Sequence, residues 1–536
     1  LVKFTFIFTL LTNYIRMLTE HQNKVKEDIL SIIEKGETNI ILKGSAGVGK
    51  TYLVQHIIND FRKNHPRGLI YITAPTNKAV AILKEKSKEQ DGPEYDEYVK
   101  EYNREKELAY LNGKEFFKKK LTFDDYLKVK KHKVFRTIHS ALLLKRKIND
   151  KTGEISFVPE YNPTKERPFD NASLIIIDEG SMLENKILIY MEDEQYADIP
   201  KIYLGDDKQL NPVGEDYSPI FKRNEIYDKQ VAEGEILPFI MAPGWNPELK
   251  KMTDVKYYIS RYNEFELTEI IRQGAGNPII SLSRNLNWVQ KRGQSINEQG
   301  DGYIYTRDFE KCIDMIVNDP NHIRYLAWTN AEVNRVNSIV RQKIYTVPQK
   351  LHLGETIVIG TAYTGMNGEM YSTNSELPIK KLDIHKRMFS TEIVYNKQSN
   401  RDDDYLVTDL EDPDFGRCRR MFELELEYYF INDNVMVIHE NSEIAFANAR
   451  RKLQDYTKLG MSWRTWFEFT EQFLKFHYQY ALTIHKSQGS TYKTAILNMV
   501  DINRNKNMLE SPRLWYTAIT RAAKNIYMYE PNFVRR

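Results

Sequence analysis

The sequence of 536 residues carries 77 Lys and Arg residues against 74 Asp and Glu residues, and 41% of it is hydrophobic. These proportions are typical of a soluble globular protein, and the length predicts about three or four domains rather than a small stapled fold. The net charge of +3 means that any basic surface must be local. Cys312 and Cys418 lie far apart in the sequence, which argues against a disulfide framework or a zinc site and fits a reducing cytoplasm.

The first residues, LVKFTFIFTLLTNYIRM, faintly resemble a secretory signal but lack a small-residue cleavage site and are too short to span a bilayer. Met17 stands just before a helix start at Thr19-Glu20-His21-Gln22. We therefore expect residues 1–16 to be an extension without ordered structure, and the folded chain to begin at Met17.

A phosphate-binding loop is the first chemical signal along the chain. The apolar run 39–42 predicts a buried strand, residues 51–61 predict a helix, and GSAGVGKT between them fits G-x-x-x-x-G-K-[ST]. Lys50 adds a positive charge, Thr51 can hold Mg²⁺, and three glycines let the backbone turn its N–H groups toward phosphate: Gly44, Gly47 and Gly49. The alternative, a glycine-rich turn before an ordinary helix, does not explain the strand, loop and helix together.

Further apolar runs predict buried parallel strands, with helical patterns between several of them: 69–72, 174–177, 202–204, 325–328 and 495–497. This alternation predicts an α/β protein with doubly wound sheets. Asp178 and Glu179 follow one such run, so Asp178 could join the Mg²⁺ shell while Glu179 polarises an attacking water. The alternative is an acidic turn after a core strand. Gln209, in GDDKQLNPVG, stands where an amide could sense a γ-phosphate.

Three segments interrupt this pattern. Residues 84–136 are crowded with charged residues and Tyr, and we expect a mostly solvated helical insertion whose basic second half either contacts nucleic acid or simply faces solvent. Residues 145–160 predict a β-hairpin, with turn residues at Asn149, Asp150 and Gly153. Residues 351–475 break into short strand-like pieces, which indicates an inserted β-rich module.

The order of several strings resembles the motif order of superfamily 1 helicases, in particular the 5′-to-3′ branch of the phage Dda and RecD-like type. LTEHQ, ITAPTNKAV, TIHS, DEGSM and GDDKQLNPVG resemble the Q motif and motifs Ia, Ib, II and III, in that order. LTEIIRQ, TIHKSQGST and YTAITRA resemble motifs IV, V and VI, while WRTWFEF and the segment from Leu326 also resemble Dda-like enzymes. The insertions at 84–136 and 222–262 have no counterpart in that resemblance.

The resemblance implies roles for individual residues. It implies that the catalytic set is Lys50, Glu179, Gln209, Arg272 and Arg521, with the two arginines stabilising charge on the γ-phosphate. The implied ATP contacts are Gln22, Gly44, Gly47, Val48, Gly49, Lys50, Thr51, Tyr52 and Gly489, and the implied Mg²⁺ ligands are Thr51 and Asp178. The implied DNA contacts are Pro75, Thr76, Thr137, His139, His485 and Ser487, with Phe157 on a strand-separating pin or, alternatively, packed beneath its hairpin.

The expected architecture is two RecA-like doubly wound domains with a pin and an inserted module. We expect a first motor domain at 17–230, containing the insertion at 84–136 and the pin hairpin at 141–170. The second motor domain would be formed by 231–350 and 476–536, around an SH3-like module at 351–475.

The expected function is an ATP-dependent DNA helicase that moves 5′-to-3′, most simply a phage-encoded monomer in the host cytoplasm without membrane contact. Its expected partners are single-stranded DNA and duplex junctions, with a single-stranded-DNA-binding protein or replication proteins as further candidates. An NTP-dependent remodelling protein without processive unwinding stays open as an alternative. A small-molecule phosphotransferase would leave motifs Ia, Ib, V and VI without a role.

Overall fold

The computed structural model describes residues 18–45, 47–112, 114–160, 167–212, 214–232, 261–269, 277–285, 293–347, 349–396, 410–412 and 417–531. The extension expected at 1–16 lies outside the described residues, as do Arg272 and residues 233–260 of the second insertion. No helix within these described ranges combines the length and the apolar character that a bilayer crossing requires.

The first lobe is built on a parallel sheet of six strands in the order β3-β2-β6-β7-β1-β8. The strands of this part of the chain are β1 (Asn39–Gly44), β2 (Leu69–Ala74), β3 (Lys133–Thr137), β4 (Leu144–Ile148), β5 (Ile155–Pro159), β6 (Ala172–Ile177), β7 (Lys201–Gly205) and β8 (Asn263–Leu267). The helices are α1 (Glu20–Glu34), α2 (Lys50–Asn64), α3 (Asn77–Leu111), α4 (Phe123–Lys131), α5 (Ile138–Ala141), α6 (Asn185–Met191) and α7 (Arg223–Ala232).

Alternate residues of the central strands enter two separate cores, one on each face of this sheet. Ile40 and Leu42 join the core that α2 covers, whereas Ile41 between them joins the core on the opposite face. Because successive side chains of a strand point to opposite faces, an apolar run without alternation is what a sheet covered on both sides requires. The predicted doubly wound sheet is confirmed.

Two sequence expectations need correction in this lobe. We assigned everything after residue 230 to the second domain, but β8 pairs in parallel with β1 and so belongs to the first sheet. We also expected 84–136 to be a helical insertion, but β3 at its end pairs in parallel with β2 and so belongs to the first sheet. These two strands form the opposite edges of the sheet. An edge strand has a neighbouring strand on one side only, and its apolar sequence pattern is weak.

The second lobe begins with α8 (Pro278–Arg284), β9 (Gln294–Ile296), β10 (Gly302–Thr306), α9 (Phe309–Asn318), β11 (Ile323–Ala327) and α10 (Asn330–Ile344). The β-rich module then interrupts it with β12 (Thr356–Ile359), β13 (Tyr363–Thr364), β14 (Met370–Tyr371), β15 (Glu376–Pro378), β16 (Leu382–Asn396), β17 (Leu410–Asp412), β18 (Arg417–Ile431), β19 (Val435–Ile438), α11 (Glu443–Lys458), α12 (Trp463–Thr470) and β20 (Phe476–Tyr478). The lobe resumes with β21 (Ala481–Thr483), β22 (Tyr492–Asn498), α13 (Met499–Ile502), α14 (Glu510–Thr520) and β23 (Ala522–Tyr529).

The strands of the second lobe form a sheet in the order β21-β11-β22-β23-β10-β9. Every neighbouring pair in it is parallel except β9 with β10. The module is antiparallel, and its β20 pairs with β12, so the module extends slightly past the boundary expected at residue 475. Its predicted β-rich character is confirmed, whereas its likeness to an SH3 fold stays a prediction.

Candidate nucleotide cleft and strand track

The phosphate loop joins β1 to α2 at the carboxyl edge of the first sheet. Gly47 and Gly49 have left-handed φ angles of +90° and +82°, which glycine adopts without strain. A Cβ atom on Gly44 would stand 2.7 Å from the Val48 Cγ2 atom and 3.0 Å from the Leu267 carbonyl oxygen. The loop conformation therefore depends on these glycines, and it ends at a helix N-terminus, where backbone N–H groups favour an anion.

Lys50 and Thr51 open α2 directly after the loop. The Lys50 Nζ atom donates to the carbonyl oxygens of Gly44 at 2.5 Å and Ser45 at 3.1 Å, so its charge is held over the loop. Thr51 is half-buried in the first helical turn, and the ring of Tyr52 meets His56 edge-on at 4.8 Å. Lys50 is thus placed over the phosphate loop, while the magnesium contact of Thr51 stays a prediction.

Gln22 connects α1 to the same loop. Its side chain is buried, accepts a hydrogen bond from the Thr19 backbone N–H at 3.1 Å, and donates to the Val48 carbonyl oxygen at 3.2 Å. Thr19 completes the capping box of α1 by accepting from the Gln22 N–H. Gln22 therefore lies beside the loop and supports it, and its predicted contact with ATP stays a prediction.

Asp178 and Glu179 follow β6 at the carboxyl edge of the same sheet. The Glu179 N–H donates to the Asp178 carboxylate at 2.9 Å, and Glu179 has a left-handed φ of +55°. Such a backbone is strained for a residue with a side chain and is common at functional sites. Burial and the neighbouring Asp178 raise the pKa of Glu179, while Arg521 and Lys50 act to lower it.

Gln209 lies in the loop after β7, facing the second lobe. Its side chain is buried, and its Oε1 atom has no hydrogen-bond partner among the described residues. A buried amide oxygen without a partner is costly, so its position indicates contact with a group that this loop itself does not supply. The arrangement fits the predicted role of Gln209 in sensing a bound nucleotide.

The two lobes are hydrogen-bonded to each other through this loop. Asp206 accepts from the Tyr516 hydroxyl at 2.6 Å, and the Leu210 N–H donates to the Thr517 hydroxyl at 3.3 Å. Arg513 donates to the Gln209 carbonyl oxygen at 2.8 Å. These contacts were not predicted from the sequence, although Tyr516 and Thr517 open the motif YTAITRA. Arg513 lies outside all of the motifs, and no sequence pattern predicted its contact with Gln209.

Arg521 directly follows α14 and brings the second lobe to the acidic pair. It is 4% exposed and donates to the carbonyl oxygens of Thr517 at 3.2 Å and Ser490 at 3.1 Å. Glu179 is the charged group that interacts with it most strongly. Gly489, with φ +71°, precedes Ser490 in the same turn. Two predicted catalytic residues from different lobes thus lie near enough to interact electrostatically, while Arg272 lies outside the described residues.

The predicted strand contacts of the first lobe lie at the same sheet edge. The Thr76 hydroxyl caps α3 by accepting from the Ala79 N–H at 3.2 Å, and the Thr137 hydroxyl caps α5 by accepting from the Ser140 N–H at 3.2 Å. Pro75 is half-buried beside Thr76. Because β2 and β3 are neighbours in the sheet, the two caps are close in space.

The predicted strand contacts of the second lobe differ in accessibility. His485 is half-buried and lies 3.0 Å from the Glu510 carboxylate. Ser487 is fully buried, and its hydroxyl donates to the Ile484 carbonyl oxygen at 2.7 Å. The structure therefore brings His485 toward the surface but not the Ser487 side chain.

The predicted hairpin is formed by β4 and β5, in which Arg146 is paired with Phe157. Phe157 is 42% exposed, and its ring meets the His139 ring edge-on at 5.3 Å, so it is not packed beneath the hairpin. Burial lowers the pKa of His139, which favours its neutral form. Phe157 presents an exposed aromatic face beside the strand track predicted for the first lobe.

The hairpin is held against α12 of the β-rich module. Arg146 makes two hydrogen bonds to the Glu471 carboxylate, at 2.7 and 2.8 Å, and its guanidinium lies 4.8 Å from the centre of the Phe467 ring. The Ser462 hydroxyl donates to Asp150 at 2.9 Å at the hairpin turn. The module therefore holds the hairpin through Arg146 and through the turn.

Comparisons with known proteins agree with this arrangement. Residues 29–215 match the model of an AAA domain, and residues 478–529 match that of the UvrD-like helicase C-terminal domain. The ATP-dependent DNA helicase dda of Enterobacteria phage T4 is 24% identical over 95% of this chain and 98% of its own length. An uncharacterized protein of Acanthamoeba polyphaga mimivirus is 25% identical over 95% of this chain and 99% of its own.

Among solved structures, the Pif1 helicase from Bacteroides in complex with ADP-AlF3 and ssDNA has a TM-score of 0.40 and 15% identity. That similarity covers 95% of this chain and 92% of the Pif1 chain. The assignment rests on the two matched domains, on the full-length relative from phage T4 and on the motif residues at the cleft. The chain is therefore an ATP-dependent DNA helicase, and it is similar to the superfamily 1 helicases of the Dda-like type.

Proposed function

We propose that this chain couples ATP hydrolysis to 5′-to-3′ movement along single-stranded DNA and thereby separates duplex DNA. The observation that supports this most is that hydrogen bonds such as that from Tyr516 to Asp206 join the two lobes at the cleft, where Arg521 of the second lobe interacts electrostatically with Glu179 of the first. A site whose acid–base and charge-stabilising residues come from two lobes is complete only when the lobes are together. Hydrolysis can then be tied to their opening and closing.

The roles proposed at the cleft follow from the chemistry of each group. Lys50 and the backbone N–H groups of the loop bind the phosphates, and Gln22 holds the loop through Val48. Thr51 and Asp178 would hold Mg²⁺, which neutralises charge on the phosphate oxygens when it is bound. Glu179 accepts the proton of the attacking water, and its raised pKa suits that work.

Arg521 stabilises the negative charge that accumulates on the γ-phosphate oxygens. Gln209, whose amide oxygen is unpartnered, reports on the presence of that phosphate. Its loop is bonded to α14 through Asp206 and Leu210, so a shift of the loop moves the second lobe. This linkage turns a change at the nucleotide into a movement between the lobes.

The strand would cross the edge that carries the Thr76 and Thr137 caps and continue to His485 in the second lobe. Alternating grips by the two lobes would then convert each cycle into a step. Phe157 would stack on the base pair at the duplex junction, and the β-rich module would hold the hairpin against the load. The proposed direction rests on the similarity to Dda-like enzymes.

Two assays on the purified chain test the proposal. ATPase activity should rise strongly with single-stranded DNA, and a duplex with a 5′ tail should be separated while one with a 3′ tail is not. An ATPase that ignores DNA would contradict the motor itself. Stimulation without separation of either duplex would favour an NTP-dependent remodelling protein, and separation from 3′ tails alone would reverse the polarity. The same ATPase assay with single-stranded RNA in place of DNA shows which nucleic acid stimulates the chain.

A further inference from the structure

Part of the first insertion forms an arm, defined here as residues 92–131, to which the motor assigns no role. Its helix, α3, starts at the carboxyl edge of the first sheet and packs Ala79 and Leu83 into the core. Farther along, Asp91 accepts a hydrogen bond from the buried Lys133 at 2.8 Å. Lys133 is the first residue of β3, so α3 has reached the opposite, amino edge of the sheet at Asp91.

Beyond Asp91 the helix continues to Leu111, which at about 1.5 Å per residue projects it roughly 30 Å away from the sheet. The chain then turns and runs back along the helix. The Tyr102 hydroxyl donates to the Lys118 carbonyl oxygen at 2.8 Å, and the Tyr95 hydroxyl donates to that of Leu121 at 3.1 Å. The arm is thus a two-layered structure of fixed shape, directed away from the nucleotide cleft.

Large apolar side chains stand exposed at the tip of the arm. The exposed fractions are 48% for Leu108, 82% for Tyr110, 72% for Leu111 and 87% for Phe117. Exposed apolar residues scattered singly over a surface are ordinary, but Leu108, Tyr110 and Leu111 lie together in the last turn of the projecting helix, and this indicates a contact surface that Phe117 extends on the returning segment. Their gathering there suggests that something covers them in the working protein.

The same tip is basic. Residues 104–120 contain six Lys or Arg residues and three Glu residues. Lys118 is paired with Glu105 at 2.7 Å, whereas in the described part of the chain Lys114, Lys119 and Lys120 enter no ion pair. On the described part of the arm, lysines without an ion pair and exposed apolar side chains lie close in the sequence, and together they complement a ligand that is both acidic and apolar.

We propose that the tip of the arm docks an acidic segment of a partner protein that carries large aliphatic or aromatic side chains. A nucleic acid would use the lysines and could stack on Tyr110 or Phe117, but Leu108 and Leu111 offer it neither hydrogen bonds nor a flat ring. A second copy of this chain is also a poorer fit, because a stable dimer buries about 800 Å² per partner, more than a few side chains provide.

The test uses the full chain and two short fluorescein-labelled peptides. One contains Asp and Glu with Leu and Phe, and the other has the same acidic residues with Ser in place of Leu and Phe. Fluorescence anisotropy should show the first peptide binding at least about tenfold more tightly than the second, and more weakly as salt rises. The double substitution Leu108→Ser/Leu111→Ser should abolish that difference.

Leu353→Ser is the matched control, because Leu353 is 66% exposed in a loop outside the arm and should leave peptide binding unchanged. Each variant should keep wild-type ATPase stimulation by single-stranded DNA, which separates this test from that of the motor. Equal binding of both peptides, no binding of either, or insensitivity to the double substitution would overturn the proposal. Tip-dependent binding of a labelled DNA duplex in place of the peptide would overturn it in favour of a nucleic-acid surface.

Discussion

The Tyr516 hydroxyl donates a hydrogen bond to the Asp206 carboxylate at 2.6 Å, and both residues are buried. Asp206 follows β7 of the first lobe, and Tyr516 lies on α14 of the second. The bond joins the loop that carries Gln209 to the helix that leads into Arg521. A displacement of either one is therefore transmitted to the other, at the place where the proposed γ-phosphate contacts converge.

Replacing Tyr516 with Phe removes only this hydroxyl. A hydrogen bond to a charged group contributes about 1.5–3 kcal/mol, so we expect DNA-stimulated ATPase activity to fall by about tenfold or more. ATP binding should change less, because Tyr516 does not belong to the phosphate loop. Steady-state kinetics measure both quantities. Tyr110→Phe, at an 82% exposed position, is the matched control, and equal rates for the two variants would argue against the linkage.

The pH dependence of hydrolysis should report on Glu179. Burial and Asp178 raise the pKa of its carboxyl, and a general base is lost as the pH falls through its pKa. The acid limb of the kcat profile should therefore lie at a higher pH than for an ordinary glutamate. Glu179→Gln should lower kcat at least about 100-fold across the profile while ATP binding persists. A variant that keeps its rate would remove Glu179 from the mechanism.

The cleft shows which features the sequence can predict. GSAGVGKT and Asp178-Glu179 were predictable because short strings fix their own local geometry beside an apolar strand. The contact between Asp206 and Tyr516 joins residues 310 positions apart and depends on how two lobes face each other, so no local pattern encodes it.

The edge strands and the directions of individual hydroxyl groups also could not be predicted from the sequence. The strand β8 reads NEFEL, with polar residues at alternate positions, so it lacks the apolar run that marked the central strands. Ser487 stands in a string that resembles a strand-binding motif, yet its hydroxyl bonds inward to Ile484. The resemblance to motif V identified the segment, but it did not predict the direction of the Ser487 side chain.

Phe157→Ala should separate unwinding from hydrolysis. The exposed ring lies at the predicted junction and away from the nucleotide, so we expect a several-fold loss in duplex separation with nearly unchanged DNA-stimulated ATPase. A forked-duplex assay and an ATPase assay on the same preparation give the ratio. Ile155→Ala is the control for loss of apolar surface, since Ile155 is 43% exposed on the same strand. Equal loss of both activities would count against a wedge role.

Gly153→Ala tests whether the module must hold the hairpin. Gly153 has φ +74°, and a Cβ atom there would stand 2.5 Å from the Trp463 indole, so the hairpin turn has to move away from α12. We expect reduced unwinding with ATPase activity retained. Gly36→Ala isolates the backbone strain, because Gly36 has φ +88° and open space around its Cβ position. Gly36→Ala should lose about 1 kcal/mol of stability through its left-handed backbone, and Gly153→Ala should lose more because of the added clash. Normal unwinding by Gly153→Ala would show that the contact is dispensable.

Gln22 allows the two ends of one side chain to be tested separately. Its Oε1 atom accepts from the Thr19 N–H in the capping box of α1, and its Nε2 atom donates to the Val48 carbonyl oxygen in the phosphate loop. Gln22→Glu keeps an acceptor for the cap, since Glu also serves at this capping position, but it cannot donate to Val48 and adds negative charge near the phosphates. We expect the KM for ATP to rise about tenfold, and because Gln22 is fully buried the added charge should also lower the melting temperature.

Gln22→Ala loses both bonds, so it should raise the KM and also destabilise the chain by about 1 kcal/mol through the lost cap. Gln454→Glu, at an exposed position on α11, controls for the added charge. Thermal melts and ATPase kinetics on the three variants distinguish the possibilities. If Gln22→Glu kept the wild-type KM while Gln22→Ala raised it, Gln22 would act on ATP through the position of α1 rather than through Val48.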